Sequence, residues 1–371
     1  MMKRLYIISI LILIILANAC VTEFEPEITE SEHLLVVEGL VTDQNEACRV
    51  KLSSSTVLGE SLIPVSVSGA HVRIQDDLGQ SHILEEKEPG SYYTDPGSFR
   101  GIPGRKYALF LDTYMGDYAS DYCELVGVPP VDSVYYEKEF IKDNPAGGIV
   151  EGCQIYLDTY DPSGNTRYFR WDYTETWLFR LPYDVPNDAC WITLRSGKIL
   201  LANTTYLAES KINRFPLTKI GTEADDRLKE KYFIMIDQYS LNEDEYRYWE
   251  KVGKIAQESG GLYDVTPMTI EGNIHQLGDP EGKVLGYFSV SSVSSGRLLI
   301  DDIFQGYKNL YASCPYATVP KNWTIPYLGT QYWVIIVNED NQTKTYTDQI
   351  RCADCTTRGT TEKPDFWPDF K

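Results

Sequence analysis

The sequence predicts a mainly β protein with minor α: an N-terminal β-sandwich followed by a larger β-rich domain that carries at least one amphipathic helix. Three observations predict it. The chain holds 27 Tyr, 12 Phe and 7 Trp among 371 residues, and aromatic side chains suit the pleated, half-buried surface of strands. Short runs of alternating apolar and polar residues recur between clusters of turn residues. Only one segment shows a marked helical period, and it opens with a capping signature.

The elements follow in order. Residues 34–40, 48–52, 70–75 and 107–112 read as strands. Asp76-Asp77-Leu78-Gly79, Glu88-Pro89-Gly90 and Ile102-Pro103-Gly104 read as turns between them. Strands at this spacing predict an Ig-like sandwich over 33–127. Val128-Pro129-Pro130-Val131-Asp132 marks a boundary, because consecutive prolines stiffen the chain and cannot donate to a central ladder. A β-rich domain then spans 128–345. Within it, Phe169, Trp171, Tyr173, Glu175, Trp177 and Phe179 alternate with Arg170, Asp172, Thr174, Thr176, Leu178 and Arg180. That alternation is a long strand with one aromatic face. Residues 232–239 form another strand, and 332–337, apolar on both faces, are expected to be central. Ser240-Leu241-Asn242-Glu243 has the S-x-x-E capping box. A helix over about 240–259 follows, with Leu241, Tyr248, Trp249, Val252, Ile255 and Ala256 at helical spacing and Gly260-Gly261 at its end. A cysteine-containing tail occupies 346–371.

The first residues carry an address. Lys3 and Arg4 precede an apolar stretch over 5–17, broken only by Tyr6 and Ser9, and Asn18-Ala19-Cys20 follows. This is a signal peptide over 1–19, shorter than the roughly 20 residues a membrane-spanning helix needs. Cys20, placed after a small residue, is the expected site of lipidation. Ordinary secretion with a chance cysteine is the alternative. Glu23, Glu25, Glu27, Glu30 and Glu32 make 20–32 an acidic tether. Acyl chains hold such a protein to a bilayer at about 0.8 kcal/mol per buried methylene.

A net charge of -20 with no basic stripe repels phosphate backbones and excludes nucleic acid as a partner. Beyond Cys20 the cysteines are Cys48, Cys123, Cys153, Cys190, Cys314, Cys352 and Cys355. Outside the cytoplasm they can pair, but an odd number leaves one free. Cys352-Ala353-Asp354-Cys355 lacks the following helix of a redox motif. The histidines (33, 71, 82, 275) are too scattered to complete a zinc site. Structural disulfides among Cys190, Cys314, Cys352 and Cys355 are expected, with connectivity open. No metal or cofactor is expected.

No G-x-S-x-G, H-E-x-x-H or P-loop motif occurs, and no catalytic residue is assigned. Asp76-Asp77, Asp225-Asp226 and Asp301-Asp302 point to opposite strand faces or lie in turns. Glu175 has two readings. It pairs with an arginine from the next strand, or Trp171, Tyr173, Glu175 and Trp177 line a ligand pocket in which aromatics stack and Glu175 orients the ligand.

Residues 68–74, 89–92 and 104–109 resemble transthyretin-like or carboxypeptidase-regulatory-like modules, which implies a spacer. Leu16-Ala17-Asn18-Ala19-Cys20 resembles the loose lipobox of Bacteroidota. The acidic residues behind it resemble a signal for the outer face of the outer membrane. Cys20 to Glu27, Leu35-Val36-Val37-Glu38-Gly39, Pro130-Val131-Asp132-Ser133-Val134 and Arg167-Tyr168-Phe169-Arg170-Trp171 together resemble the Bacteroidota lipoproteins known as domain of unknown function 4249. So do Gln238-Tyr239-Ser240-Leu241, Gly272-Asn273-Ile274-His275, Gly286-Tyr287-Phe288-Ser289, Cys352 to Cys355 and Lys363-Pro364-Asp365-Phe366-Trp367. The family has no established activity, and its members are often encoded beside TonB-dependent receptors. The resemblance implies a non-enzymatic, surface-facing outer-membrane lipoprotein that binds an unknown nutrient or docks on such a receptor. The alternatives are an envelope scaffold or adhesin, and a cryptic glycoside or peptide hydrolase.

Overall fold

Alternation over 33–127 becomes nine strands: β1 (Leu35–Val41), β2 (Arg49–Ser54), β3 (Val65–Ser66), β4 (His71–Asp76), β5 (Ser81–Glu88), β6 (Ser91–Tyr93), β7 (Lys106–Thr113), β8 (Gly116–Ser120) and β9 (Cys123–Glu124). They belong to a computed structural model that describes residues 33–55, 63–142, 148–183, 185–223, 226–258, 270–307, 314, 316–322, 333–337, 342–347 and 349–367. The signal peptide, Cys20 and the acidic tether lie outside the described residues. At the tight turn after β5, Gly90 has φ +73, and a Cβ there would stand 2.5 Å from the Leu52 carbonyl oxygen.

The second unit begins with β10 (Val131–Ile141), β11 (Val150–Asp161), β12 (Tyr168–Arg180), β13 (Ala189–Arg195), β14 (Leu200–Asn203), β15 (Ser210–Gly221) and β16 (Tyr232–Leu241). The helix α1 (Glu243–Glu258) follows, then β17 (Ile274–Gln276), β18 (Val284–Val290) and β19 (Val293–Ile300). One sheet runs β10-β11-β15 and another β13-β12-β16-β19, with β14 also on β12. Their facing sides share one core, which includes Ile155, Leu157, Phe169, Trp171, Trp177, Leu217, Ile220 and Ile234.

The first unit draws on residues well beyond 127. Strand β18 pairs in parallel with β1, and β17 pairs with β8. The resulting sheet runs β17-β8-β7-β4-β5-β6-β2-β1-β18. It curls into a nearly closed barrel around Val37, Val50, Leu52, Ile74, Leu109 and Phe288, where two stacked layers were expected. Alternating inward residues fill a barrel or a sandwich equally well, so their period does not choose between them.

Two local expectations change. The helix starts at Glu243, not 240, and its cap is Asn242, whose Oδ1 accepts the Glu245 backbone N–H at 2.8 Å. Ser240 belongs to β16 and is fully buried, donating to the Val126 carbonyl and accepting the Ser292 backbone N–H. The segment around 332–337, expected to be central, is β21 (Trp333–Val337). It ends the order β20 (Ala317–Pro320), β22 (Thr343–Thr347), β21 among the described residues.

Disulfides join Cys190 to Cys355 and Cys314 to Cys352. The CxxC cysteines thus go to different partners. Cys48, Cys123 and Cys153 are free and buried. The tail docks on the second unit, with Trp367 buried against Trp191 and Phe233. No helix among the described residues is long and apolar enough to cross a membrane.

Candidate functional site

The aromatic face of β12 points into the core. Trp171 is completely buried, its Nε1 donates to Gln238 Oε1 at 2.9 Å, and its ring lies 4.2 Å from that of Phe215. Trp177 donates through Nε1 to Asp226 Oδ1 at 3.2 Å, and Arg358 of the tail donates to Asp226 Oδ2 at 2.8 Å. Glu175 Oε2 accepts from the Tyr232 hydroxyl at 2.8 Å and from Arg227 Nη1 at 3.0 Å. Burial, with the Glu175 charge adding to it, holds the Tyr232 pKa well above its ordinary value, so the phenol remains a donor. Tyr173 is buried in the same cluster. Trp171, Tyr173, Glu175 and Trp177 are therefore packed interior. Of the two readings of Glu175, the ligand pocket is absent because the β10-β11-β15 sheet covers this face, and the arginine partner is Arg227, which lies between β15 and β16 instead of on a strand.

The even-numbered face of the same strand borders a cleft of about 340 Å³ between the two units, a size typical of small-molecule sites, which span roughly 300–1,000 Å³. Arg170 and Asp172 of β12, with Arg195 of β13, form one wall. The other wall comes from the first unit: Glu38 and Leu40 of β1, Arg49 and Lys51 of β2, Tyr287 and Ser289 of β18. Strand alternation explains why these residues share a face, since Val37, Val41, Val50 and Leu52 between and beside them fill the barrel core. Helix α1 adds Tyr248 and Trp249. The Tyr248 ring lies 4.8 Å from that of Tyr287 and so ties the helix to the first unit.

Arg170 is the most constrained of the wall residues. Its guanidinium lies 4.5 Å from the Tyr239 ring centroid and 4.6 Å from that of Trp249. Cation–π contacts of this kind contribute about 0.5–2 kcal/mol each. Arg170 Nη2 stands 3.7 Å from Asp172 Oδ2, which also accepts from Arg195 Nη2 at 3.1 Å. Arg170 Nε is buried without a hydrogen-bond partner. Behind Trp249, Glu245 is fully buried and accepts the indole N–H at 3.3 Å. Burial raises its pKa, while Ser289, Arg170, Trp249 and the Val290 amide act in the opposite direction.

Gly286 lets the first-unit wall form. It has φ +95, and a Cβ there would come within 1.9 Å of the Val37 carbonyl oxygen, which would force β18 away from β1. A second cavity of about 490 Å³ has mixed charge, with Lys106, Asp121, Glu124, Arg247 and Lys251 on its lining. Cys123, also on that lining, has its pKa pushed by burial to about 12, so its thiol stays protonated. Among the described residues no group of three or more His, Cys, Asp and Glu is placed to hold a metal ion.

Sequence reasoning singled out β12 but chose its other face. Arg170 and Asp172 stood only as alternating positions of that strand, Arg195 was not singled out, and Glu38, Arg49, Lys51 and Tyr287 lie in distant segments. Only the helical period marked Tyr248 and Trp249. A family model described as a domain of unknown function (DUF4249) matches residues 21–297. The match takes in every residue of the cleft and leaves the disulfide-bearing tail outside. No curated protein matches the chain.

Proposed function

We propose that this chain, which belongs to the DUF4249 family, is a lipid-anchored, non-enzymatic binding component of the outer membrane that holds a ligand in the cleft between its two units. The observation that carries this reading is the cleft itself. Its walls come from β1, β2 and β18 on one side and β12 and β13 on the other, so only the complete fold assembles it. Cys20 supplies the anchor, and the acidic segment 20–32 spaces the folded units from the bilayer. The partner is a TonB-dependent receptor, which takes the ligand onward. That step rests on the family resemblance.

Affinity purification of the tagged chain from membranes of its own host, under mild detergent, tests the partner. An outer-membrane receptor should co-purify, and its absence would remove the transport role. Lipid labelling tests the anchor separately. Cys20→Ala should lose the label and leave the membrane fraction, whereas a chain still labelled and still membrane-bound would contradict lipidation at Cys20.

Hydrolysis is the second reading, because Glu38 and Asp172 stand on different walls of one cleft. Asp172 is already committed to Arg195 and Arg170, which favours a binding role over proton transfer. Turnover of a glycoside or peptide that stops in Glu38→Gln would reverse that preference.

A further inference from the structure

We infer that the cleft takes a small ring-shaped ligand bearing an oxyanion, a carboxylate or sulfate group, with the anion held by Arg49, Lys51 and Arg170. The inference rests on the binding reading above and names its ligand class. The first argument is charge. The chain as a whole carries -20, yet this cleft sets four cations, Arg49, Lys51, Arg170 and Arg195, against two carboxylates. A local excess of positive charge inside an acidic surface attracts and orients an anion.

The second argument is how those charges are partnered. Asp172 is shared between two guanidiniums, at 3.1 Å from Arg195 and 3.7 Å from Arg170. Glu38 stands opposite Lys51 in the β1–β2 register, yet neither Lys51 nor Arg49 forms an ion pair among the described residues. Arg170 is nine-tenths buried, and its Nε lacks an acceptor. Clamped between the Tyr239 and Trp249 rings, its guanidinium is a cation fixed on the cleft wall that needs little reordering to meet an acceptor. Guanidinium groups match carboxylate and sulfate oxygens in a planar fork.

The third argument is the shape of the remaining surface. Trp249, Tyr248 and Tyr287 line the same cleft; Arg170 covers one face of Trp249 and the two tyrosine rings pack on each other, and the aromatic surface they leave in the cleft suits the apolar body of a ring-shaped ligand. Charge at one part and aromatic surface at another describe an acidic ring compound better than a free inorganic ion.

Calorimetric titration of the detergent-solubilised full chain with glucuronate, glucose and inorganic sulfate provides the test. Glucuronate should bind, sulfate should compete with it, glucose should not bind, and raised salt should weaken the interaction. The double variant Arg49→Ala/Lys51→Ala should bind glucuronate at least about tenfold more weakly, as expected for losing two charge-assisted contacts. Lys87→Ala, on β5 and outside the cleft lining, should bind as the parent does. Arg170→Gln provides a second route if the double variant does not fold. Glucose binding as tightly as glucuronate would leave the cleft a ligand site and overturn the oxyanion assignment. Unchanged glucuronate affinity in both cleft variants would overturn the location. Failure of all three probes to bind would overturn the ligand class, whereas a receptor that still co-purified would leave the partner reading intact.

Discussion

One strand, β12, divides its two faces between fold and site. On the odd-numbered side, Trp171, Tyr173, Glu175 and Trp177 are buried, and each polar atom discussed on that face meets a partner from a neighbouring strand, a loop or the tail. On the even-numbered side, Arg170 and Asp172 border an open cleft, share a single carboxylate contact, and leave one buried N–H unsatisfied. The richer aromatic face is the less available one. Aromatic residues bury the most apolar surface and so are drawn into the core first. A site is better marked by incompletely satisfied charge than by aromatic density.

The largest break in that contrast comes from Trp171→Ala. Emptying a fully buried indole site should cost about 3–5 kcal/mol, read as a lower urea midpoint, with glucuronate affinity of the folded fraction unchanged. Next is the covalent support of the inward face, since Cys190 lies on β13 and its bond to Cys355 brings the tail and Arg358 to Asp226. Replacing Cys190 and Cys355 by Ser should cost about 2–5 kcal/mol, and peptide mapping of the native chain should recover Cys190–Cys355 and Cys314–Cys352. Mapping that instead finds Cys352 joined to Cys355 would contradict the tail's placement.

A smaller effect tests the helix that backs the cleft-bearing face. Burial raises the Glu245 pKa above the ordinary 4.5, so the folded chain holds this proton more tightly than the unfolded chain does. The native chain is then free of this penalty below the unfolded value. It loses stability as pH rises from there toward the raised folded value. Glu245→Gln, which cannot ionise, should become steadily more stable relative to the parent over that interval in urea unfolding at acidic and neutral pH. An identical pH dependence in the two proteins would refute the assignment.

Much of the fold was legible in the sequence because period and composition are local properties. The alternation from Phe169 to Arg180 located β12, the Tyr248 and Trp249 spacing located α1, and the four cysteines of the disulfides were correctly grouped. What was not legible depends on distant partners. The parallel pairing of β18 with β1 joins Val284 to Leu35 and creates half of the cleft, yet nothing in either segment names the other. The true cap, Asn242, stands two residues from Ser240, and only the continuation of β16 through Leu241 decides between them. Likewise, alternation revealed that β12 has two faces but not that a second sheet would cover the aromatic one.

The most direct measurement compares Glu175→Gln with Arg170→Gln, reading both unfolding free energy and glucuronate affinity for each. Glu175→Gln should lose about 1–3 kcal/mol of stability, the cost of weakening a buried charged hydrogen bond, and bind as the parent does. Arg170→Gln should bind more weakly by a far larger factor than Glu175→Gln. Lost affinity in Glu175→Gln at unchanged stability, with Arg170→Gln binding normally, would place the site on the other face of the strand and contradict the account.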